Sequence, residues 1–339
     1  METPLKVLIT VQFSPELLSK IQAVSPQLEL ITITARDPGD VQEEAWQEIE
    51  ILYTHKVLPE SDQAPQLKWV QFHRAGNERF LDAPILRKPG FKATSMSGAS
   101  APQVAEYVLE MLLALGHKLP ELYGYQNLAE WPKDRIDRFN PRELNLSTVG
   151  IVGYGSIGRQ VARLLQAFGA TILATKHDAM HPADEGYIPA GMGDPRGDYL
   201  QLLYPAEALN SMLQECDFVV VCVPLTKETQ NLIGEAQLGV MKRSAYLVDV
   251  SRGGVINHTA LIQALEGKQI AGAALDVYPE EPLDADHPLW KMPNVILTPH
   301  IAGVSQEYNS RAVALFVENL ERYLKGEKLL NLIDVQRGY

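Results

Sequence analysis

Short apolar runs punctuate the chain from its start. Residues 6–11 (KVLITV), 28–34, 49–54 and 69–73 are rich in branched or aromatic side chains, and 92–96 completes the set. Each is bounded by polar or turn-forming sequence, the signature of buried β-strands. Between them apolar residues recur at helical spacing. Ser14-Pro15 reads as an N-cap and first helical position, with Leu17, Leu18 and Ile21 on one face. Residues 103–118 place Val104, Val108, Met111, Leu112 and Leu115 on one stripe, with Glu106 among them as a paired structural carboxylate. Strand alternating with helix predicts a parallel sheet with helices on its faces.

A second series begins at Thr148. Strands are expected over 149–152, 171–175, 218–223, 246–250, 271–275 and 295–298, with helices such as 206–215 and 259–266 between most of them. Six strands in this rhythm make a second doubly wound sheet. Residues 116–145, polar and irregular around Trp131-Pro132, read as a connection or arm. Trp131 there either meets a second subunit or folds onto its own domain. Residues 178–203 interrupt the series with proline, glycine and no period. A loop of that length in a compact domain is usually functional or mobile. A last helix is expected over 307–325, with Val313, Phe316, Val317, Leu320 and Leu324 on one face, then an apolar tail, 329–335. A tail that returns to the first domain makes that domain discontinuous: 1–115 with 305–339, and 116–304 between them.

Length and charge narrow the function. The 339 residues suffice for two domains with cores of their own. A formal net charge of −12 without a Lys/Arg cluster argues against a nucleic-acid or anionic-membrane surface, though not against a local basic pocket. No apolar run has membrane-spanning length, and the first residues read as a strand rather than a secretory leader. Cys216 and Cys222 flank and end one apolar strand. They read as free thiols of a reducing compartment, so a cytoplasmic protein with no disulfide and no metal site is expected.

The stretch that carries chemistry is 149–158, V-G-I-V-G-Y-G-S-I-G. A strand runs into Gly153, Gly155 and Gly158 at the spacing G-x-G-x-x-G, and a helix follows, with Val161, Leu164, Leu165 and Phe168 at helical positions and Gly169 closing it. Gly153 makes the tight turn, Gly155 lets backbone approach a pyrophosphate, and Gly158 lets helix pack on strand. The pyrophosphate sits on the free N–H groups of the helix start, around Ser156 and Ile157.

In a doubly wound sheet the ligand lies at the carboxyl ends of the strands. Those ends are Gly153-Tyr154-Gly155, Lys176-His177, Val223-Pro224 with Thr229 beyond, Val250-Ser251-Arg252, the stretch from Asp276 to Glu281, and His300 to Gly303. Singly, Arg252 reads equally as a surface charge, Glu281 as a solvated carboxylate and His300 as a satisfied loop histidine. Together, beside a dinucleotide turn, they suit hydride transfer at a carbon bearing oxygen. A histidine gives and takes the hydroxyl proton, a carboxylate stabilises its imidazolium, and a guanidinium grips a carboxylate in a fork. In the first series, His73-Arg74-Ala75-Gly76-Asn77 follows a strand, and its turn either offers backbone N–H groups to an anion or is an ordinary connection. A small anion held by Arg252 and by Ala75-Gly76 is then expected between the domains. His73, Arg74, Asn77, Met96 and Trp131 are candidates for shaping its side-chain pocket.

These motifs, with Val223-Pro224-Leu225-Thr226, V-D-V-S-R-G-G over 248–254, A-L-D-V-Y-P-E-E-P over 274–282 and T-P-H-I-A-G over 298–303, resemble the D-isomer-specific 2-hydroxyacid dehydrogenase family over nearly the whole chain. The resemblance implies a Rossmann dinucleotide-binding domain inserted in a flavodoxin-like substrate domain. It implies that Arg252 binds the substrate's carboxylate and carbonyl, that Glu281 pairs with the acid/base His300, and that Asp276 holds the nicotinamide amide. It implies an NAD(P)-dependent oxidoreductase for a D-2-hydroxy acid or 2-oxo acid, and a homodimer joined through the cofactor domains with an arm near Trp131. Because the family also includes transcriptional corepressors, a cofactor-sensing interaction protein is the alternative.

Two departures stand out. The family's usual acid at the end of the second strand, which accepts from the adenosine ribose hydroxyls, is replaced here by Lys176, then His177. A cation there attracts a 2′-phosphate, which favours NADP(H) over NAD(H), while Asp178 keeps NAD(H) open. The 178–203 stretch is also longer than the family's usual connection. Arg196 within it is a candidate addition to the phosphate site, against a plain surface loop.

Overall fold

The computed structural model describes residues 4–338. Residues 1–3 and 339 of the expected first domain lie outside the described residues. The chain forms two compact units. One runs to Ser100 and takes in Glu185–Pro189 and the stretch from Ser305 onward; the other holds Ala101–Asp184 and Ala190–Val304.

The first unit opens with β1 (Leu5–Ile9), α1 (Pro15–Gln22), β2 (Leu28–Thr32), α2 (Glu43–Glu48), β3 (Ile51–Thr54), β4 (Trp69–Phe72) and β5 (Lys92–Thr94). Its five strands are parallel, in the order β2-β1-β3-β4-β5, the flavodoxin-like arrangement. Val7, Ile9, Ile51 and Tyr53 face one core, and Leu8, Leu52, Val70 and Phe72 face the other. Burial on both faces is why these strands read as unbroken apolar runs.

The second unit contains α3 (Ala101–Gly116), α4 (Leu119–Asn127), α5 (Arg135–Arg138), β6 (Thr148–Val152), α6 (Ser156–Ala167), β7 (Thr171–Lys176), β8 (Leu202–Pro205) and α7 (Leu209–Glu215). It continues with β9 (Phe218–Val221), α8 (Glu235–Val240), β10 (Tyr246–Asp249), α9 (His258–Glu266), β11 (Gly272–Leu275) and β12 (Val295–Leu297). All strands are parallel, in the order β12-β11-β10-β9-β6-β7-β8. Strand order reverses between β6 and β9, the switch point where a dinucleotide binds. The chain then returns to the first unit as α10 (Tyr308–Lys325). Its Ala312, Val313, Phe316 and Leu320 join the core of Val7 and Ile9. The tail follows, with Ile333 N–H donating to Ala93 O at 2.9 Å.

Three expectations change. The second sheet has seven strands, because the end of the 178–203 stretch becomes β8, paired from Leu173↔Leu202 to Lys176↔Pro205. That strand is too short and too exposed to announce itself by pattern. The 116–145 connection holds α4 and α5, with no buried residue in either; helices without an apolar stripe leave no period to read. The expected boundary at 115/116 falls instead at 100/101. α3 packs its Val104, Val108, Met111, Leu112 and Leu115 with Val161 and Leu165 of α6 against Val149 and Ile151 of β6. An apolar stripe reveals a helix but not which sheet it covers.

Among the described residues no helix is long and apolar enough to cross a membrane. No group of three or more His, Cys, Asp or Glu side chains gathers there as a metal site.

Candidate active site

The glycine turn shows what each glycine is for. Gly153 has φ +102°, and a Cβ there would stand 2.6 Å from Val223 Cγ1. A Cβ at Gly158 would stand 2.4 Å from the carbonyl oxygen of Gly153. The protein's own packing demands both. Gly155 differs: it has φ −93°, which any residue adopts, and no protein atom lies within 4 Å of its would-be Cβ. The space beside Gly155 at the start of α6 is thus open to an external group, and a dinucleotide pyrophosphate fits. Ser156 and Ile157 open that helix, and Gly169 (φ +72°) follows its end. Tyr154 also ties the turn to its surroundings. Its N–H donates to Thr175 O at 2.9 Å, and its buried hydroxyl donates to the Asp194 carboxylate.

On the other side of the switch point, Thr229 Oγ1 donates to Pro224 O at 2.6 Å and accepts from Thr226 N at 2.7 Å, which sets the turn after Val223. Cys222 donates its thiol to Gly153 O at 3.1 Å. Burial pushes both thiols up to about 12, which disfavours the thiolate form.

The remaining strand ends are stitched together. After β10, Asp249 Oδ1 accepts the Ser251 N–H at 3.0 Å and the Ser251 hydroxyl, fixing the turn that presents Arg252 just beyond Val250. Asp249 is almost wholly buried and its Oδ2 has no partner, and burial pushes its carboxyl up to about 7. Gly253 lets this turn touch the next one, since a Cβ would meet Tyr278 O at 1.8 Å. Tyr278 Oη donates to Leu275 O at 2.9 Å and Thr298 O at 3.0 Å, tying in the third turn. Asp276 accepts from Thr298 Oγ1 at 2.7 Å, Ile301 N at 2.8 Å and Ala302 N at 2.9 Å. These bonds grip the loop on both sides of His300, whose φ is +54°. Gln103 Nε2 donates to Gly303 O at 2.6 Å and closes the loop. Glu281 then meets His300: Oε2 lies 2.8 Å from Nδ1, with both side chains partly open to solvent. Arg252, Glu281 and His300 therefore sit on three successive turns, each touching the next.

In the first unit, Arg74 lies over the Tyr308 ring at 4.7 Å. Asn77 Nδ2 donates to Arg74 O at 2.9 Å and Ala75 O at 3.2 Å, bracing the turn of Ala75 and Gly76. His73 and Met96, expected to shape a pocket, are core residues instead. His73 Nδ1 lies 2.7 Å from Tyr53 Oη, and burial pushes its pKa down to about 3, so it stays neutral. An apolar strand end and a ligand-facing one look alike in sequence. Trp131 is 80% exposed.

The end of β7 brings together residues the sequence singled out and one it did not, Arg159. At the end of β7, Lys176 Nζ donates to Ala183 O at 2.9 Å and to His181 O. His177 is exposed, and Asp178 pairs with His181 at 2.7 Å. Arg159 on α6 is completely buried against the 178–203 stretch, its guanidinium 2.6 Å from Asp194 O. Its place one residue after Gly158 was the only signal, and that reads equally as a surface position. Arg196 is exposed and pairs with Asp198 at 2.7 Å.

Comparison with known proteins decides what this arrangement belongs to. Residues 109–302 match the model of the D-isomer specific 2-hydroxyacid dehydrogenase NAD binding domain. A glyoxylate reductase of Thermofilum pendens is 36% identical over 278 residues, 81% of this chain and 78% of its own. One from Thermococcus litoralis is 32% identical over 337 residues, 97% and 96% of the two chains. The chain belongs to the D-isomer-specific 2-hydroxyacid dehydrogenase family. The dehydrogenase is thus an NAD(P)-dependent oxidoreductase acting on a CH–OH group. Its fold matches a D-isomer specific 2-hydroxyacid dehydrogenase from Xanthobacter autotrophicus Py2, solved with NADPH and MES, at TM-score 0.79 and 27% identity over 100% of both chains. It also matches an NADPH-dependent glyoxylate/hydroxypyruvate reductase of Sinorhizobium meliloti, solved with NADP and sulfate, at TM-score 0.77 and 25% identity over 99% and 100%.

Proposed function

We propose that this dehydrogenase interconverts a short 2-oxo acid and its D-2-hydroxy acid, with His300 as acid/base, Glu281 as its partner and Arg252 as the anchor for substrate carboxylate and carbonyl. The Glu281–His300 pair at 2.8 Å carries the reading. With Nδ1 turned to Glu281, the other ring nitrogen, Nε2, faces the substrate oxygen and moves its proton. Protonated, the ring donates to the forming hydroxyl; neutral, it accepts from the hydroxyl in the reverse direction. The Glu281 carboxylate stabilises the imidazolium and holds the ring plane. Arg252 offers a planar fork that suits a carboxylate beside a carbonyl. Arg74, Ala75 and Gly76 of the first unit are assigned to substrate binding. The nicotinamide, when bound, supplies or accepts the hydride. Asp276 serves both the nicotinamide amide and the loop of His300.

Lys176 at the end of β7 supports NADP(H) over NAD(H), because an ammonium there attracts a 2′-phosphate and cannot accept from a 2′-hydroxyl. The similarity to glyoxylate reductases supports glyoxylate and hydroxypyruvate as substrates. Exposed Leu128, Trp131, Ile136 and Leu146 support a homodimer through the arm. Reduction of glyoxylate, hydroxypyruvate and longer 2-oxo acids, each assayed with NADPH and NADH, tests the proposal. Turnover of a short 2-oxo acid, faster with NADPH, is expected. Tight cofactor binding with no turnover of any acid would favour the cofactor-sensing interaction protein instead.

A further inference from the structure

The 178–203 stretch has a narrow neck. Asp184 N–H donates to Pro195 O at 3.0 Å, joining its two limbs. Arg159 fills that neck from α6: its guanidinium donates to Pro182 O at 2.5 Å and Asp194 O at 2.6 Å, and Nε lies 3.3 Å from Asp184 Oδ2. Tyr154, from the glycine turn, stacks under the guanidinium at 4.6 Å and reaches Asp194 with its hydroxyl. Gln160 Oε1 accepts the Gly193 N–H at 2.6 Å. Asp194 folds the returning limb, accepting from Gly197 N at 3.1 Å, Asp198 N at 2.8 Å and Tyr199 N at 3.1 Å. Three consecutive carbonyls of the first limb divide two cations. His181 O and Ala183 O point to Lys176 Nζ, while Pro182 O between them points to Arg159. Extended backbone alternates its carbonyls in this way.

A lysine at a strand end is ordinarily a flexible point charge on a four-carbon stem. Here two of its three N–H donors go to carbonyls of one limb, and a buried arginine holds that limb. We propose that the limb from His181 to Asp184, locked by Arg159, is a specificity-determining part of the cofactor site, holding the Lys176 ammonium in place to receive a 2′-phosphate. The inference rests on the assignment of Lys176 to that phosphate. Asp184 and Arg159 are positioning residues: they act through the limb and Lys176 and touch no cofactor atom.

Calorimetric titration of the full chain with 2′,5′-ADP and with ADP tests it without turnover. Lys176→Met is expected to weaken 2′,5′-ADP about tenfold or more and to leave ADP unchanged. Asp184→Asn and Arg159→Lys are expected to weaken 2′,5′-ADP several-fold, spare ADP, and add nothing when combined with Lys176→Met. Asp184 is partly exposed, so its substitution carries the test if the buried Arg159 variant fails to fold. Should Lys176→Met leave 2′,5′-ADP binding intact, the phosphate assignment falls and the inference with it. Should Lys176→Met weaken it while Asp184→Asn does not, or should Asp184→Asn weaken ADP equally, the assignment stands and the positioning role is overturned.

Discussion

Glu281 Oε2 lies 2.8 Å from His300 Nδ1, while Glu281 Oε1 accepts the Tyr278 N–H at 3.1 Å. Both oxygens of one carboxylate are thus committed, one to backbone and one to the ring. The imidazole cannot rotate without breaking a charge-assisted bond. His300→Ala is expected to lower turnover by about 10³-fold and Glu281→Gln by about 10²-fold, within the range for positioned acid–base groups. Cofactor affinity, followed by fluorescence titration of NADPH, should stay near wild type in both. A His300→Ala variant that keeps wild-type kcat would remove His300 from the chemistry.

Why this pair was legible, and the surroundings of Lys176 only partly so, follows from where each signal sits. Glu281, His300 and Arg252 lie three to six residues beyond the ends of their strands, and their side chains differ in kind from the apolar sequence around them. The sheets were readable for the same reason. Arg159 was not. In sequence it is a polar residue early in an amphipathic helix, a position normally solvated, and only the fold shows a partner stretch covering it. β8 was invisible because its order comes from pairing with β7 rather than from its own composition. The assignment of α3 failed for the complementary reason, that amphipathicity is a property of one helix and domain membership a property of two surfaces.

Asp249 gives a pH dependence of known sign. An unfolded aspartate titrates near 3.9, and burial in the native chain pushes Asp249 up to about 7. Between those values the native state holds a proton that the unfolded state has released, so this residue's contribution to stability declines as pH rises from about 4 to about 7. Asp249→Asn keeps an oxygen for the Ser251 N–H and hydroxyl and abolishes the buried charge. The variant is expected to match wild type at pH 4 and to exceed it at pH 8 by an amount of order 1–4 kcal/mol. Urea unfolding at pH 4, 6 and 8 measures this. An Asn variant with the wild-type pH dependence would show that Asp249 ionises without cost.

Two glycines of the dinucleotide turn separate folding from binding. At Gly158 a Cβ must enter a space 2.4 Å from the Gly153 carbonyl oxygen and 2.9 Å from Ile151 Cγ2. Backbone cannot yield as a side-chain tip does, so Gly158→Ala has to push α6 off β6. A loss of about 1–3 kcal/mol is expected, as for overpacked cores. At Gly155 the backbone conformation suits alanine and no protein atom lies within 4 Å; the gain from a less flexible unfolded chain and the loss of a good N-cap oppose each other, so Gly155→Ala should stay within about 1 kcal/mol of wild-type stability. Its methyl group would occupy the space where backbone must approach the pyrophosphate, and NADPH affinity should fall by about tenfold or more. Thermal melts paired with NADPH titrations on both variants read the two effects apart. A Gly155→Ala protein that binds NADPH as tightly as wild type would mean that the open space over α6 is not where the pyrophosphate lies.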